Sequence, residues 1–319
     1  MPIEPVARGY KTQCLMDWET SFGVAPTTKA GAILPINSFG LNISRNLNTA
    51  ATLTGRRDPV EPFDGNVEVS GDLVVPVDTR AFGYWLKLLL GAPTTTGTAA
   101  PFTHVFKPSD NCPSAMVQCV YGTSPVTYGQ FCGVKATSMN ISTGGDEELT
   151  ATISVAGKDV SYESTNYNAS AKAVVLKRLN NFQASLKSNG STLATVTQFD
   201  FTIDNGMDTS IRTIGGEGKL YDIVEGIMSI TGTATMLFTN LTMLNAAEDS
   251  EELSFDLTWG IDTNNKLTFS FPEVRLQYQG PSVDGPTGIM TEYPFVAYYN
   301  DSSAATCCKA TLINDVQKY

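Results

Sequence analysis

Ser38-Phe-Gly-Leu-Asn-Ile-Ser44, a long connection and Gly65-Asn-Val-Glu-Val-Ser-Gly71 return about 160 residues later as Gln198-Phe-Asp-Phe-Thr-Ile-Asp204, a second long connection and Gly226-Ile-Met-Ser-Ile-Thr-Gly232. Phe39, Leu41 and Ile43 align with Phe199, Phe201 and Ile203, apolar at every second position, which is the pattern of a strand with one buried face. The later strand of each pair is bounded by glycines at one spacing, Gly65 with Gly71 and Gly226 with Gly232. The phase continues beyond them, with Val67, Val69, Leu73 and Val75 matching Met228, Ile230, Ala234 and Met236. Two head-to-tail copies of one strand-rich unit predict a molecule with two equivalent sets of surfaces, a design suited to assembly.

Outward from these pairs, the connections over Asn46 to Asp64 and Asn205 to Glu225 are nearly twenty residues each. Loops of that length in compact domains are functional or dock on something. Asp78-Thr79 caps a predicted helix from Arg80 to Leu90 that ends at Gly91, and Asn240 to Glu248 occupies the matching place. Strands are then expected at Ala115 to Tyr121, Gly133 to Ser142 and Glu147 to Gly157, the last two joined by a Thr143-Gly-Gly-Asp146 hairpin. Their counterparts are Glu252 to Trp259, Lys266 to Phe271, Glu273 to Gln279 and Gly288 to Tyr299, and Asn189-Gly190 turns a further hairpin. The chain therefore reads as all-β with one short helix per repeat. It divides into an extended N-terminal arm (1–35), a first domain (36–160), a linker (161–172) and a second domain (173–319).

The 319 residues are 42% hydrophobic and only 17% charged, a mix that suits β-sandwiches better than helical bundles. Net charge is −11, and the second half is the more acidic one. An acidic chain is not built to grip nucleic acid, because such binding rests on Lys and Arg neutralising phosphates. No basic stretch leads into an apolar core at the N-terminus, and the longest apolar run, Ala81 to Leu90, is broken by Lys87 and too short to span a bilayer. A soluble protein made in the cytosol is expected. Cys14, Cys112, Cys119, Cys132, Cys307 and Cys308 then read as reduced thiols.

The sequence holds no catalytic, metal or cofactor constellation with usable spacing. His104 is the only imidazole and reads as structural. Gly215-Gly-Glu-Gly-Lys219 lacks the glycine of a phosphate loop, since Thr213 stands there, and Tyr221 replaces the third glycine of a dinucleotide fingerprint. Asp204-Asn-Gly and Asp262 to Asn265 lack the acidic ligand that calcium needs further on, so they read as turns. The acidic run Glu248 to Glu252 reads first as a solvated turn after a helix and second as part of a channel lining.

An arm, a strand, a long Arg-bearing loop, a glycine-bounded strand and a helix ending at Leu90-Gly91 come first. Phe102-Thr-His-Val-Phe106 and Gly133-Val-Lys-Ala-Thr-Ser-Met-Asn-Ile141 follow, and together this half resembles the major tail tube proteins of long-tailed bacteriophages and prophages. Gly226 to Thr235, Gly288 to Ala297 and Ala310 to Asn314 are similar to the downstream part of that family. The resemblance implies two tandem tail-tube-type sandwich or barrel domains, and a structural virion protein that polymerises as stacked rings around a conduit for DNA ejection. Three copies, six domains and a pseudo-hexameric ring follow, with the tape measure and other tail proteins as partners. Double-stranded DNA would pass without specific binding, there would be no membrane contact and no cofactor, and the protein would sit in the virion tail after assembly in the host cytoplasm. Glu68, Asp72, Glu148 and Asp200, on polar strand phases, are the lumen-facing candidates. Arg56, Arg57, Asp58, Arg212 and Lys219, with the arm, are the candidates for contacts between subunits or rings. The alternatives are a tandem sandwich binding or adhesion module, with Trp18, Tyr162 and Tyr167 as sugar-stacking aromatics, or another virion protein such as a decoration or adaptor protein.

Overall fold

The computed structural model describes residues 6–123, 125–283, 285–301 and 304–319. The strands of the first half are β1 (Cys14–Trp18), β2 (Ala32–Leu34), β3 (Ser38–Phe39), β4 (Asn42–Asn48), β5 (Phe63–Pro76), β6 (Thr94–Thr96), β7 (Phe102–Phe106), β8 (Ala115–Tyr121), β9 (Thr127–Gly144), β10 (Thr150–Gly157) and β11 (Asp159–Glu163). Those of the second half are β12 (Ala184–Ser188), β13 (Ser191–Thr192), β14 (Val196–Asp204), β15 (Ser229–Leu237), β16 (Leu253–Asp262), β17 (Asn265–Leu276), β18 (Met290–Ala297) and β19 (Lys309–Asn314). Two α-helices, α1 (Phe82–Leu90) and α2 (Thr242–Glu248), fall at the predicted places.

One antiparallel sheet runs through both halves in the order β4, β5, β10, β9, β14, β15, β18, β17. The long strands β9 and β17 each leave this sheet to join a second one. The first part of β9 pairs with β8 and β11, and β8 with β1. The first part of β17 pairs with β16 and β19, and β16 with β12. The halves share registers as well as order. Phe39 lies opposite Leu73 and Ile43 opposite Val69, as Phe199 lies opposite Ala234 and Ile203 opposite Ile230. Further along, Asn48 faces Phe63 as Asp208 faces Val224.

Period-2 apolar residues of the shared sheet meet those of the second sheets in one continuous core. Phe39 approaches Phe131 at 5.7 Å between ring centres, and Phe201 approaches Phe269 at 4.9 Å. Helix α1 is buried along most of its length, and its first amides are met by Asp78, whose carboxylate accepts from Arg80, Ala81 and Phe82 at 2.8–3.2 Å. The predicted hairpins form: residues 145–149 join β9 to β10, and Asn189 and Gly190 turn at φ 48° and 78°, the positive pair that such two-residue turns require.

Two expectations need correction. Residues 14–18 of the proposed arm form a buried strand, β1, because Cys14, Leu15 and Met16 pair beside β8 and enter the core; residues 1–5 lie outside the described residues. Lys266 to Phe271 and Glu273 to Gln279 are one strand, since Pro272 sits where β17 passes between sheets and its missing N–H costs no ladder bond. Within residues 161–172, expected as a linker, Tyr167 is buried, and its hydroxyl donates to Asp17 or the Pro26 carbonyl.

Burial pushes the Cys112 and Cys119 thiols up to about 11 from an ordinary 9.0, and the Tyr121 and Tyr319 phenols rise for the same cause. The stability the two thiols contribute is whole below pH 9 and is lost as pH rises through 11, and that of the phenols begins to fall above their ordinary 10.0, because the folded chain keeps protons that the unfolded chain releases. Lys87, held down to about 8 by burial and then by Lys318, gives the opposite slope, but it is one group against four. Melting temperature followed by circular dichroism is therefore expected to fall between pH 9 and pH 11; a flat profile there would contradict the buried, neutral thiols.

Candidate functional site

The two halves of the chain meet between β9 and β14. Ser138 to Gly144 of β9 pair with Asp204 to Gln198 of β14, and Asn140 donates through Nδ2 to Thr202 Oγ1 at 2.9 Å. Just beyond, Asn205 donates through Nδ2 to the carbonyls of Leu89, near the end of α1, and Ala136, at 2.8 and 3.1 Å. The connection from β14 to β15 then lies back over the first half. Val67 N–H donates to Gly218 O at 3.0 Å, Arg45 to Glu217 O at 2.8 Å, and Lys219 Nζ meets Asp159 at 2.8 Å. Leu220 and Ile223 bury Ala156 beneath this loop. Lys135 beside it donates to Ile223 O at 2.7 Å and to Glu225 Oε1 at 3.0 Å, with Asp222 at 3.9 Å. Burial pushes the Glu225 carboxyl up, but the Cys112 amide and the Lys135 ammonium outweigh it and hold the group below the usual carboxylate range.

At its two ends the shared sheet is open. Beyond β4 no strand of this chain pairs among the described residues, and β17 runs out at Leu276 toward Gln277 and Tyr278. The connection from β4 to β5 is exposed along nearly its whole length, with Leu53 98% accessible. Arg56, Arg57 and Asp58 stand on it, exposed and without a hydrogen-bond or ion-pair partner among the described residues. Arg212 and Lys219, assigned to the same role, behave differently. Arg212 is held by the carbonyls of Val67 and Gly218 at 3.3 and 3.2 Å, and Lys219 by Asp159, so both fasten the loop to its own chain.

The face of the shared sheet away from the core is a field of small neutral groups. Cross-strand neighbours on it include Ser44 with Glu68, Asp72 with Ser154, Asn140 with Thr202, Asp200 with Thr233 and Thr235 with Glu292. Glu68, Asp72 and Asp200 thus share one face, joined by Asp204 and Glu292, and Arg275 is a lone exposed guanidinium among these strand positions. Glu148 does not belong with them. It precedes β10 in the hairpin connection, accepts from Asn37 at 2.8 Å and pairs with Arg178 at 3.1 Å.

Other sequence candidates are accounted for by packing. His104 is buried between Thr95 Oγ1 and Val316 O, both at 2.8 Å, and burial holds its pKa down. Trp18 lies under Lys87 Nζ at 4.0 Å, so of the three aromatics offered for sugar stacking only Tyr162 stays exposed. The described cysteines are free, and the described residues hold no group of three or more potential metal ligands and no helix long and apolar enough to cross a membrane. Sequence reading passed over Lys135, Glu225, Asp64 and Arg275. The available signal was positional, since Glu225 and Asp64 each stand directly before the repeated glycines Gly226 and Gly65.

No curated protein matches the chain. A family model described as "Phage tail tube protein" matches residues 9–297, nearly the whole of both halves. The match covers most of an all-β chain, and this chain belongs to the phage tail tube protein family, as a structural protein of the virion tail.

Proposed function

We propose that the two halves are copies of one tube domain and that three chains close the shared sheet into a ring, rings stacking into the tube that conducts DNA during ejection. The observation that carries this reading is the eight-strand antiparallel sheet with an open edge at each end. Exposed edges invite pairing, and closing the sheet removes them. Strand spacing of about 4.8 Å and a tilt near 40° give three copies a sheet about 48 Å across, which leaves a bore of about 35 Å after side chains. Two copies would leave only about 20 Å, too narrow for a hydrated duplex.

The outer polar face of the sheet then lines the bore. Glu68, Asp72, Asp200, Asp204 and Glu292 among hydroxyls and carboxamides repel phosphates over a Debye length of about 8 Å at physiological salt, so DNA slides without being held. Tape measure and other tail proteins are the expected partners, and assembly takes place in the host cytoplasm. The exposed loop tips, Leu53 with Arg56, Arg57 and Asp58 in one half and Ile214 in the other, supply contacts between rings. Electron microscopy of the purified chain tests the reading: rings or tubes support it, and monomers at high concentration reject it. The Arg56→Ala/Arg57→Ala double variant is expected to keep its circular dichroism spectrum and form fewer or shorter tubes; tubes of normal length would remove these side chains from the contact.

A further inference from the structure

We propose that the contact between two copies repeats the internal joint residue by residue, with Arg275 of one copy pairing with Asp64 of the next as Lys135 pairs with Glu225 inside the chain. This rests on the ring reading above and names the groups that close it. The registers supply the correspondence. Lys135 faces Ala156 and Arg275 faces Val296 at the same step of the sheet, while Glu225 and Asp64 precede matching glycines, with Asp222 and Glu61 three residues earlier. Inside the chain this cluster is a covered ion pair. Its counterparts are exposed: Arg275 meets the exposed Glu252 at 3.5 Å and lies over the Tyr298 ring at 5.9 Å, and Asp64 meets the exposed Arg45 at 3.4 Å.

The surface around Arg275 is unfinished in the same way. Ala156 is buried under Leu220 and Ile223, whereas Val296 at the equivalent place is 53% exposed. A concavity of about 430 Å³ on the first half, lined by Glu68 to Asp72 and Ser154 to Ala156, is bordered by Thr209, Arg212 and Leu220 of the docked loop. Its counterpart on the second half, about 620 Å³ beside Arg275, Thr231 to Thr233 and Pro294 to Val296, has no loop across it. The loop that would cross it is the one between β4 and β5, which leaves its hairpin in the same register as the docked loop and finds nothing on its own chain to lie on.

Along the edges, Ser138 and Gln277 both sit opposite the Ser154 or Pro294 position, so Tyr278 corresponds to Met139. Met139 and Ile203 meet in the internal joint fully buried; the geometry sets Tyr278, 56% exposed, against the partly buried Ile43 of the next copy. Asn205, donating into the end of α1, corresponds to Arg45, which would meet the end of α2 and its run Glu248, Asp249, Glu251 and Glu252. A guanidinium suits both the carbonyl end of a helix and those carboxylates.

The test is charge reversal with rescue. Arg275→Glu and Asp64→Arg, each alone, place like charges at the joint and are expected to cut the ring population by more than about tenfold in mass photometry and negative-stain images. The Arg275→Glu/Asp64→Arg chain restores the pair with its signs exchanged and is expected to form rings again. In parallel, oxidised Ile43→Cys/Tyr278→Cys protein should give covalent dimers and trimers and nothing longer, while either cysteine alone should not. Single reversals that assemble like the natural chain, or a double reversal that stays monomeric while the cysteines cross-link, would reject the Arg275 to Asp64 pairing and leave the ring reading standing. A natural chain that never forms rings would overturn the ring reading and this joint with it.

Discussion

Phe199→Ala is expected to destabilise the chain by about 3–5 kcal/mol, the range for removing a fully buried aromatic ring. Phe199 lies on β14, the strand that both halves share, with β9 on one side and β15 on the other. Its ring centre is 5.2 Å from that of Phe295, 5.7 Å from Phe255 and 6.2 Å from Phe201. Two paired neighbours hold the backbone in place, so the cavity left by alanine cannot collapse, and the lost contacts are not regained. Urea unfolding measures the effect. Phe182→Ala, at a ring 85% exposed, is the control and should shift stability by no more than about 0.5 kcal/mol. A Phe199 variant within 1 kcal/mol of the natural chain would mean that the aromatic cluster does not set the core of the second half.

Lys135→Met is the second large effect, expected at about 2–4 kcal/mol at neutral pH. The ammonium is nearly buried, accepted by the Ile223 carbonyl and Glu225, and methionine fills its stem without its charge. What remains is a Glu225 carboxylate, four-fifths covered, that has lost one of the partners offsetting its desolvation. The pH dependence follows from the sign of the Glu225 shift. Its folded pKa is depressed, so the pair contributes stability above the ordinary carboxylate value near 4.5 that is lost as pH falls through the folded one. The difference between the two proteins should thus be large at pH 7 and smaller at a pH well below 4.5. Equal destabilisation at both values would assign the loss to packing of the lysine stem. Arg275→Met, at the corresponding but exposed position, should leave monomer stability within about 0.5 kcal/mol.

Much of the architecture was legible because strand signals are local. Alternation at Phe199, Phe201 and Ile203 placed the core face, the glycines marked the strand ends, and Asp78 announced α1. The two hairpins pair in matching registers, Ile43 opposite Val69 and Ile203 opposite Ile230, at the positions where the sequence alternates alike. Residues 14–18 were misjudged because a five-residue strand between Pro- and Gly-rich segments carries too short a pattern to stand out from a loop. Glu148 was misplaced by two residues, which is enough to move a carboxylate from a strand face into a turn.

The candidate site was only half visible. Charge on the two long loops drew notice to both, and nothing in Arg212 or Lys219 themselves distinguishes a residue that fastens a loop to its own chain from one that reaches another molecule. Alternation and turn chemistry, which act between residues close in the chain, determined from sequence alone that the protein is all-β. Tertiary structure alone decided that one loop is docked while its counterpart lies bare, that the Lys135 cluster is covered while Arg275 and Asp64 are open, and that the sheet ends in two free edges. Those outcomes depend on which residues distant in the chain come to lie beside one another, and no local sequence pattern carries that information.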